Sequence, residues 1–321
     1  MTYEFDTLSY GEALQLADEG ETWMVDKIIG SATTLLYGEA KSGKSFLVSA
    51  LIKSLATGTD FLGKPVPQDR TFSVAICWTD DMGAQEYSTR IRTVTPESDA
   101  PNVQFYHLPI MRTPDMWRGL YEQVMAKGHN FVVIDNLAQT LNGTVNDDAV
   151  VRQFFEGVRL FVRAGIPVVV VAHSSDKAGP SGYKPDTPMG SAYISQAVRW
   201  RVFVRRSRRG NITLKFMGNH SEPYEMTLYH GAGARFSVLD VKTSEALKSS
   251  AEGAARTRNK SRLDDNLKVA EWVVGNCQGM SQRQAAEKLA ADEGTGVETA
   301  RNKIRRAPVK KAEGNGWVMA A

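Results

Sequence analysis

The sequence predicts an α/β protein with a mainly parallel β-sheet, an antiparallel extension of that sheet and a small, mainly helical C-terminal domain. Short apolar runs alternate with amphipathic helical segments over residues 32–172, which is typical of a parallel sheet covered by helices on both faces. After residue 199, β-prone runs follow one another without intervening helices, which indicates antiparallel strands. The 321 residues suffice for two domains. We expect the first over residues 1–242, a flexible linker over 243–262 and the second over 263–321.

Apolar spacing and turn-forming residues place the individual elements in order along the chain. The predicted parallel strands are residues 32–37, 73–79, 103–107, 131–134 and 167–172. The predicted helices between them are residues 44–56, a segment that starts near residue 85, residues 114–127 and residues 147–164. The predicted antiparallel strands are residues 200–206, 212–217, 225–229 and 236–239.

The C-terminal region is basic and is predicted to be mostly helical. From Lys248 onward, 14 Lys and Arg face nine Asp and Glu, whereas the preceding residues carry 25 basic and 27 acidic groups. The linker is rich in Ser, Ala, Lys and Arg without apolar periodicity. Helices over 263–276, 281–292 and 297–307, followed by a short hairpin around Trp317, resemble a winged helix-turn-helix. Its third helix would present these residues to DNA: Arg301, Asn302, Arg305 and Arg306. Protein docking is the alternative role.

The composition excludes several classes of protein and site. Hydrophobic residues make up 42% of the chain and charged residues 23%, which excludes disorder, collagen and coiled coil as the main class. The longest apolar run, residues 166–172, is far shorter than the roughly 20 residues of a membrane span, so we expect no membrane partner. Cys77 and Cys277 lack metal-ligand spacing, so we expect no structural zinc. The two widely separated cysteines have no spacing typical of a disulfide pair, and the N-terminal sequence is acidic and polar. Both features favour a cytoplasmic location.

Residues 38–45 carry the strongest functional motif in the chain. They fit G-x-x-x-x-G-K-[ST] in full and lie between a predicted strand and a predicted helix. Glycines let successive backbone N–H groups converge on a phosphate, and the helix N-terminus adds its dipole. We expect Lys44 to reach the β- and γ-phosphates of ATP and Ser45 to bind Mg²⁺. The expected nucleotide-binding residues are Gly38, Glu39, Ala40, Lys41, Ser42, Gly43, Lys44, Ser45 and Phe46.

Acidic residues follow two of the predicted strands at the sheet edge that would hold the phosphate loop. Asp135 directly follows the strand 131–134 and is the candidate Walker B carboxylate, which orders the ligands around Mg²⁺. The alternative is that Asp135 only caps the segment that follows. Asp80 and Asp81 close the strand 73–79, and either could polarise an attacking water. The alternative for this pair is a solvated acidic turn, and Glu39 is a weaker rival for the hydrolytic base.

His173 directly follows the strand 167–172 and so reaches the same sheet edge. A polar group at that position could sense the γ-phosphate and transmit its presence to the loop that follows. The alternative is an ordinary structural histidine.

These motifs together resemble the RecA-like ATPases of the plasmid RepA hexameric helicase type, which are AAA family ATPases. The resemblance covers residues 23–229, about two-thirds of the chain. It is carried by the joint pattern Trp78-Thr-Asp-Asp81, Val133-Ile-Asp-Asn136, Ala172-His-Ser-Ser-Asp-Lys177 and Gly190-Ser-Ala followed by Arg199. The family usually has a catalytic Glu where this chain has Asp80, which is one methylene shorter.

The resemblance implies a RecA-like P-loop fold and a ring of subunits, commonly a hexamer, that acts on DNA. It implies that Arg199 acts across the subunit interface on the neighbour's γ-phosphate. It also implies that residues 174–189 form a DNA-contacting loop, in which Lys177 and Lys184 supply the charge. An ordinary surface loop is the alternative for that segment.

Six arginines fall between residues 199 and 209, and four of them flank a predicted turn. These four form either a phosphate contact or a solvated hairpin tip: Arg205, Arg206, Arg208 and Arg209.

Three functions follow from this sequence in decreasing order of support. The first is a Mg-ATP-dependent ring on DNA, a helicase or a recombination or replication motor of a plasmid, phage or mobile element. The second is an ATP-gated DNA-binding regulator or partition-type switch without unwinding activity, which Asp80 in place of Glu slightly favours. The third is a small-molecule kinase, for which the arginine-rich half of the chain offers no clear lid or acceptor pocket.

Overall fold

The computed structural model describes residues 7–19, 22–95, 101–175, 186–219, 221–312 and 316–320. These residues form two compact units, one that ends at Ser244 and one that begins at Glu245. Among the helices of the described residues, none combines the length and the apolar character that a membrane span requires.

The first unit contains eleven strands and seven helices within the described residues. Its strands are β1 (Trp23–Val25), β2 (Ile29–Gly30), β3 (Thr33–Gly38), β4 (Ser73–Trp78), β5 (Asn102–His107), β6 (Phe131–Asp135), β7 (Val168–His173), β8 (Trp200–Arg206), β9 (Ile212–Gly218), β10 (Tyr224–His230) and β11 (Phe236–Lys242). Its helices are α1 (Tyr10–Glu19), α2 (Lys44–Thr57), α3 (Gly83–Arg92), α4 (Pro114–Ala126), α5 (Leu137–Thr140), α6 (Asp148–Arg163) and α7 (Tyr193–Gln196). The predicted strands and helices of this unit are confirmed, whereas α1, β1, β2 and the two short helices α5 and α7 were not predicted.

Nine strands form one sheet in the order β11-β10-β9-β8-β3-β7-β6-β4-β5. Six neighbouring strands of this sheet run parallel to one another: β8, β3, β7, β6, β4 and β5. The remaining pairs, β8 with β9, β9 with β10 and β10 with β11, are antiparallel. The predicted parallel sheet with an antiparallel extension is therefore confirmed. The central strands are apolar throughout because helices cover both faces: residues 168–171 of β7 are all valines and are all buried.

Each face of the sheet has its own hydrophobic core. On one face, α2 and α3 contribute Leu47, Leu51 and Ile91. On the other face, α4 and α6 contribute Trp117 and Phe155, both almost completely buried. Burial of each such side chain contributes roughly 1.5–3 kcal/mol to the free energy of unfolding. The two layers of helices therefore stabilise the sheet from both faces.

The second unit consists of three helices and a two-stranded antiparallel hairpin within the described residues. Its elements are α8 (Ser244–Asn276), α9 (Gln282–Glu293), α10 (Val297–Arg306), β12 (Val309–Lys311) and β13 (Trp317–Met319). Ser281 and Gln284 form a capping box at the start of α9. A small core is built around Val273, Leu289 and Trp317.

The structure differs from the sequence analysis over residues 243–262, which were expected to form a flexible linker. Helix α8 begins at Ser244 and runs through this segment into the predicted helix 263–276. Ala, Lys, Arg and Glu are strong helix formers, so the segment can be helical without an apolar face. Its described side chains stay exposed or half-buried, and the first buried one in α8 is Ala270.

Candidate nucleotide-binding site

The candidate site lies at the edge of the sheet where the carboxyl ends of β3, β4, β6 and β7 meet. Gly38 at the end of β3 is paired in register with His173 at the end of β7, and Trp78 at the end of β4 is paired with Asp135 at the end of β6. Because parallel strands share one direction, polar residues that follow them converge at this edge. The phosphate loop follows Gly38 directly, and α2 begins at Lys44.

Two glycines in the phosphate loop have no room for a side chain. A Cβ on Gly38 would lie 2.1 Å from the carbonyl oxygen of Val204, and one on Gly43 would lie 2.7 Å from Cδ1 of Ile212. Gly43 also has a φ of 104°, a conformation that glycine adopts without strain. The loop therefore packs with its backbone against β8 and β9, which leaves its opposite side for a ligand.

Lys44 is buried and its ammonium group lies over the loop. Its Nζ atom donates hydrogen bonds to the carbonyl oxygens of Gly38 (2.9 Å) and Glu39 (2.8 Å). These bonds hold the positive charge at the start of α2, where the helix dipole also favours an anion.

Ser45 joins the phosphate loop to the end of β6. Its hydroxyl group donates a hydrogen bond to Oδ2 of Asp135 at 3.0 Å, and the hydroxyl group of Tyr87 donates to the same oxygen at 2.6 Å. Burial raises the pKa of the Asp135 carboxyl, while these two hydrogen bonds and the charge of Lys44 oppose the rise. Burial, followed by the neighbouring carboxylate, raises the pKa of Tyr87 well above its usual value, so its hydroxyl stays protonated as a donor.

The residues at this edge fit a nucleoside triphosphate with Mg²⁺. The hydroxyl group of Ser42 is buried and has no hydrogen-bond partner among the described residues, so a phosphate oxygen would satisfy it. Ser45 and Asp135 offer oxygen atoms, which are the ligands that Mg²⁺ prefers. Together, the loop amides and Lys44 would supply hydrogen-bond donors to the phosphates, and Ser45 and Asp135 would supply oxygen ligands to the metal.

Thr79 positions the acidic pair that follows β4. Its backbone N–H donates to the carbonyl oxygen of Asp135 at 3.0 Å, and its hydroxyl accepts a hydrogen bond from the backbone N–H of Asn136 at 3.2 Å. Asp80 and Asp81 follow immediately and are exposed. Asp80 lies close enough for its charge to raise the pKa of Asp135.

His173 connects the phosphate loop to the segment that returns toward β8. The backbone N–H of Ser174 donates to the carbonyl oxygen of Gly38 at 3.1 Å, and that of Met189 donates to the carbonyl oxygen of His173 at 2.8 Å. The His173 side chain is half-buried. The expected DNA-contacting lysines between these anchors, Lys177 and Lys184, lie outside the described residues.

Arg199 does not join the other site residues within this chain. It precedes β8 and is exposed, whereas Gly38 is level with Val204 near the other end of that strand. At about 3.3 Å per residue, the five steps from Arg199 to Val204 span about 16 Å, which is farther than an arginine side chain extends. Arg199 therefore lies at the opposite edge of the sheet from the phosphate loop of its own chain.

Phe46 follows Ser45 and lies within a small aromatic cluster. The guanidinium carbon of Arg90 is 4.8 Å from the centre of the Phe46 ring, and the ring of His230 meets Phe46 edge-on at 5.1 Å. Phe46 and Arg90 are both half-buried. Arg90 also forms an ion pair with Glu86, so its guanidinium group is held beside the ring that follows the phosphate loop.

No sequence motif marked Tyr87 or Arg90 as a site residue, and Thr79 appeared only within the pattern Trp78-Thr-Asp-Asp81 and as the end of a predicted strand. Tyr87 and Arg90 lie on α3, the helix that follows the acidic pair, and their partners are 48 and 44 positions away in the chain. The only available signal was that this helix must start at the edge that holds the phosphate loop.

The expected DNA-binding residues of the second unit lie on α10. Arg301, Arg305 and Arg306 are exposed, whereas Asn302 is half-buried. Arg301 faces Glu298 at 3.9 Å, a separation at which an exposed ion pair contributes little.

A family model described as an AAA domain matches residues 2–179, which is more than half of the chain. The matched stretch contains the phosphate loop, Asp80, Asp135 and His173. No curated protein matches the chain. The chain therefore belongs to the AAA domain family and carries the complete phosphate loop of a P-loop ATPase.

Proposed function

We propose that this protein is a Mg-ATP-dependent, oligomeric DNA-binding ATPase that serves as a helicase or as a recombination or replication motor of a plasmid, phage or mobile element. The observation that carries the ATPase part is the hydrogen bond from Ser45 to Asp135. It joins the phosphate loop to the carboxylate of a buried strand at one edge of the sheet. A glycine-rich turn without a role in nucleotide binding would have no need of a hydrogen bond between Ser45 and Asp135.

Each side chain at the edge has a separate task in the proposed hydrolysis. Lys44 neutralises charge on the β- and γ-phosphates, and Ser45 and Asp135 hold the metal. Mg²⁺, when bound, neutralises the charge that develops on the phosphates. Asp80 orients the attacking water, and His173 senses the γ-phosphate.

Assembly into a ring, with six subunits as the proposed size, is supported by the location of Arg199. Because it lies about 16 Å along β8 from the level of its own phosphate loop, it would reach a nucleotide only in a neighbouring subunit. There its guanidinium would stabilise charge on the transferring phosphoryl group.

DNA is the proposed partner, and two parts of the chain support this. Helix α10 presents exposed arginines in a unit of three helices and a β-hairpin, an arrangement typical of a winged helix-turn-helix. Lys177 and Lys184 fall in the segment between His173 and Met189, directly after a strand that contacts the phosphate loop. In this proposal, loss of the γ-phosphate changes the grip of that segment on DNA.

The second candidate is an ATP-gated DNA-binding regulator or partition-type switch. It is favoured by Asp80, which is exposed and one methylene shorter than the usual Glu, so it would hold the water less firmly. The discriminating experiment measures the steady-state ATPase rate with no DNA, with single-stranded DNA and with duplex DNA. We expect strong stimulation by DNA, whereas slow hydrolysis that ignores DNA would replace the motor with the switch.

A further inference from the structure

We propose that the hairpin between β8 and β9 is a contact surface for the phosphate backbone of nucleic acid. We name it the arginine hairpin, residues 205–212. The proposal rests on the proposed function and deepens it, because it assigns a nucleic-acid contact to the ATPase unit itself. It is independent of α10 and of the segment between His173 and Met189.

The arginine hairpin carries an unusually concentrated and uncompensated positive charge. Four of the five positions from 205 to 209 are arginines, and all four are exposed. No Asp or Glu occurs in the sequence between Asp186 and Glu222. Within the described part of the chain, none of the four arginines forms an ion pair. Lys215, the nearest lysine in the sequence, does: it pairs with Asp186 and Glu225.

The turn of the hairpin is ordered by its own backbone hydrogen bonds. The N–H of Ser207 donates to the carbonyl oxygen of Asn211 at 2.8 Å, and the N–H of Gly210 donates to that of Ser207 at 3.0 Å. Gly210 has a φ of 90°, which permits the tight turn. Arg208 and Arg209 are therefore held at the tip, so little backbone entropy is lost when they bind a ligand.

The base of the hairpin lies directly against the phosphate loop. Val204 is paired in register with Gly38, and Ile212 occupies the space where a side chain on Gly43 would project. A strand of nucleic acid held by the hairpin would lie at the same sheet edge as the nucleotide. Any movement of the phosphate loop would be transmitted to the hairpin through the contacts of Gly38 with Val204 and of Gly43 with Ile212.

The distribution of the arginines fits an extended anion better than a single nucleotide. Arg205 and Arg206 are neighbours on a strand, so they project to opposite faces, while Arg208 and Arg209 lie beyond the strand end. One triphosphate bound in the loop would not contact both faces and the tip. Successive phosphates of a nucleic-acid strand would, and arginine is well suited to phosphate oxygens. Because contacts to phosphate carry no sequence information, we expect recognition to be independent of sequence.

The test compares the variant Arg208→Gln/Arg209→Gln with the wild-type chain in binding a fluorescent oligothymidylate and a duplex of equal length. Fluorescence anisotropy is measured without nucleotide over a series of salt concentrations. We expect about tenfold weaker binding of the single strand and a fall of about 1.4 in the slope of log affinity against log salt, since each lost phosphate contact removes about 0.7. Arg208→Gln/Arg209→Gln is also combined with Arg305→Gln/Arg306→Gln in one chain. In that background, DNA binding by α10 does not mask the loss of binding by the hairpin.

Two controls separate a lost contact from a lost fold or a change in net charge. Arg118→Gln/Arg163→Gln removes two exposed arginines from α4 and α6 and should leave the salt slope unchanged. Arg208→Lys/Arg209→Lys keeps both charges and should restore most of the slope.

An unchanged affinity and slope of the Gln variant in both backgrounds would overturn the proposal, as would an equal loss in the α4 and α6 control. Weaker binding of the duplex, with a fall of about 1.8 in its slope because each duplex contact removes about 0.9, would still support it. Failure of the proposed motor function is a separate result: ATP hydrolysis would then be slow and would ignore DNA, whereas the oligonucleotide measurement, made without ATP, would stand unaffected.

Discussion

The hydroxyl group of Tyr87 lies 2.6 Å from Oδ2 of Asp135, in the interior of the edge where the phosphate loop meets the sheet. Ser45 donates to the same oxygen, so two hydroxyl groups fix one carboxylate oxygen. The other oxygen of Asp135 remains available to the metal shell. In the proposed chemistry, Tyr87 is therefore a positioning residue, because its hydroxyl group holds the candidate Walker B carboxylate.

Tyr87→Phe should weaken the binding of Mg²⁺ at the nucleotide site while the fold stays intact. A hydrogen bond to a charged group contributes about 1.5–3 kcal/mol, so we expect the Mg²⁺ concentration at half-effect to rise about tenfold. The measurement is the affinity for a fluorescent ADP analogue over a series of Mg²⁺ concentrations. Affinity without Mg²⁺ should change little, since the hydrogen bond of Tyr87 is made to Asp135, which is proposed to act on the metal.

The matched control for this prediction is Tyr106→Phe. Its hydroxyl group bonds the Nε2 atom of His129 at 3.0 Å and has no contact with Asp135. Equal shifts of the Mg²⁺ midpoint in the two variants, or no shift in either, would contradict the positioning role of Tyr87.

Gly38→Ala should destabilise the first unit and abolish nucleotide binding. The added Cβ would lie 2.1 Å from the carbonyl oxygen of Val204, which is backbone and cannot rotate away. Strain of this kind costs about 1–3 kcal/mol, which lowers the melting temperature by several degrees. Thermal unfolding followed by circular dichroism measures the effect.

Gly119→Ala is the control for the glycine prediction. Gly119 lies in α4 with open space around its Cβ position, so alanine should raise stability slightly through its better helix propensity. Equal melting temperatures for Gly38→Ala and the wild-type chain would show that β3 and β8 do not approach as closely as described.

Arg199→Ala should retain ATP binding and lose turnover. ATP binding depends on the phosphate loop of the same chain, whereas Arg199 would stabilise the transferring phosphoryl group only in a neighbouring subunit. Mixtures of this variant with Lys44→Ala subunits test the direction of action. Neither variant hydrolyses ATP alone, but a mixed ring places an intact Arg199 beside an intact phosphate loop at some interfaces. We expect partial recovery of the ATPase rate in the mixture. No recovery at any ratio would argue against action across the interface.

The sequence predicted the sheet and most of this site because both depend on local patterns. Asp135 and His173 each directly follow an apolar run, so a parallel sheet necessarily brings them to one edge with the phosphate loop. Tyr87 was not predictable in the same way. Its partner is 48 positions away, and helical spacing alone does not show which side chain of α3 turns inward.

Two further features have physical causes that local patterns do not contain. Residues 244–262 form part of α8 because their helix propensity is high, although the sequence lacks the apolar periodicity that usually marks a helix. Arg199 lies far from its own phosphate loop because β8 is parallel to β3, and only the register of the two strands reveals this separation. The register likewise brings the arginine hairpin to the phosphate loop.

Lys44, Ser45 and Asp135 together are proposed to form a Mg-ATP-hydrolysing site. The most direct test is the rate of phosphate release by the wild-type chain and by Lys44→Ala at saturating ATP, each with Mg²⁺ and with excess chelator. We predict hydrolysis only by the wild-type chain and only with Mg²⁺. Equal phosphate release by Lys44→Ala, or release that persists in chelator, would contradict the assignment of the phosphate loop.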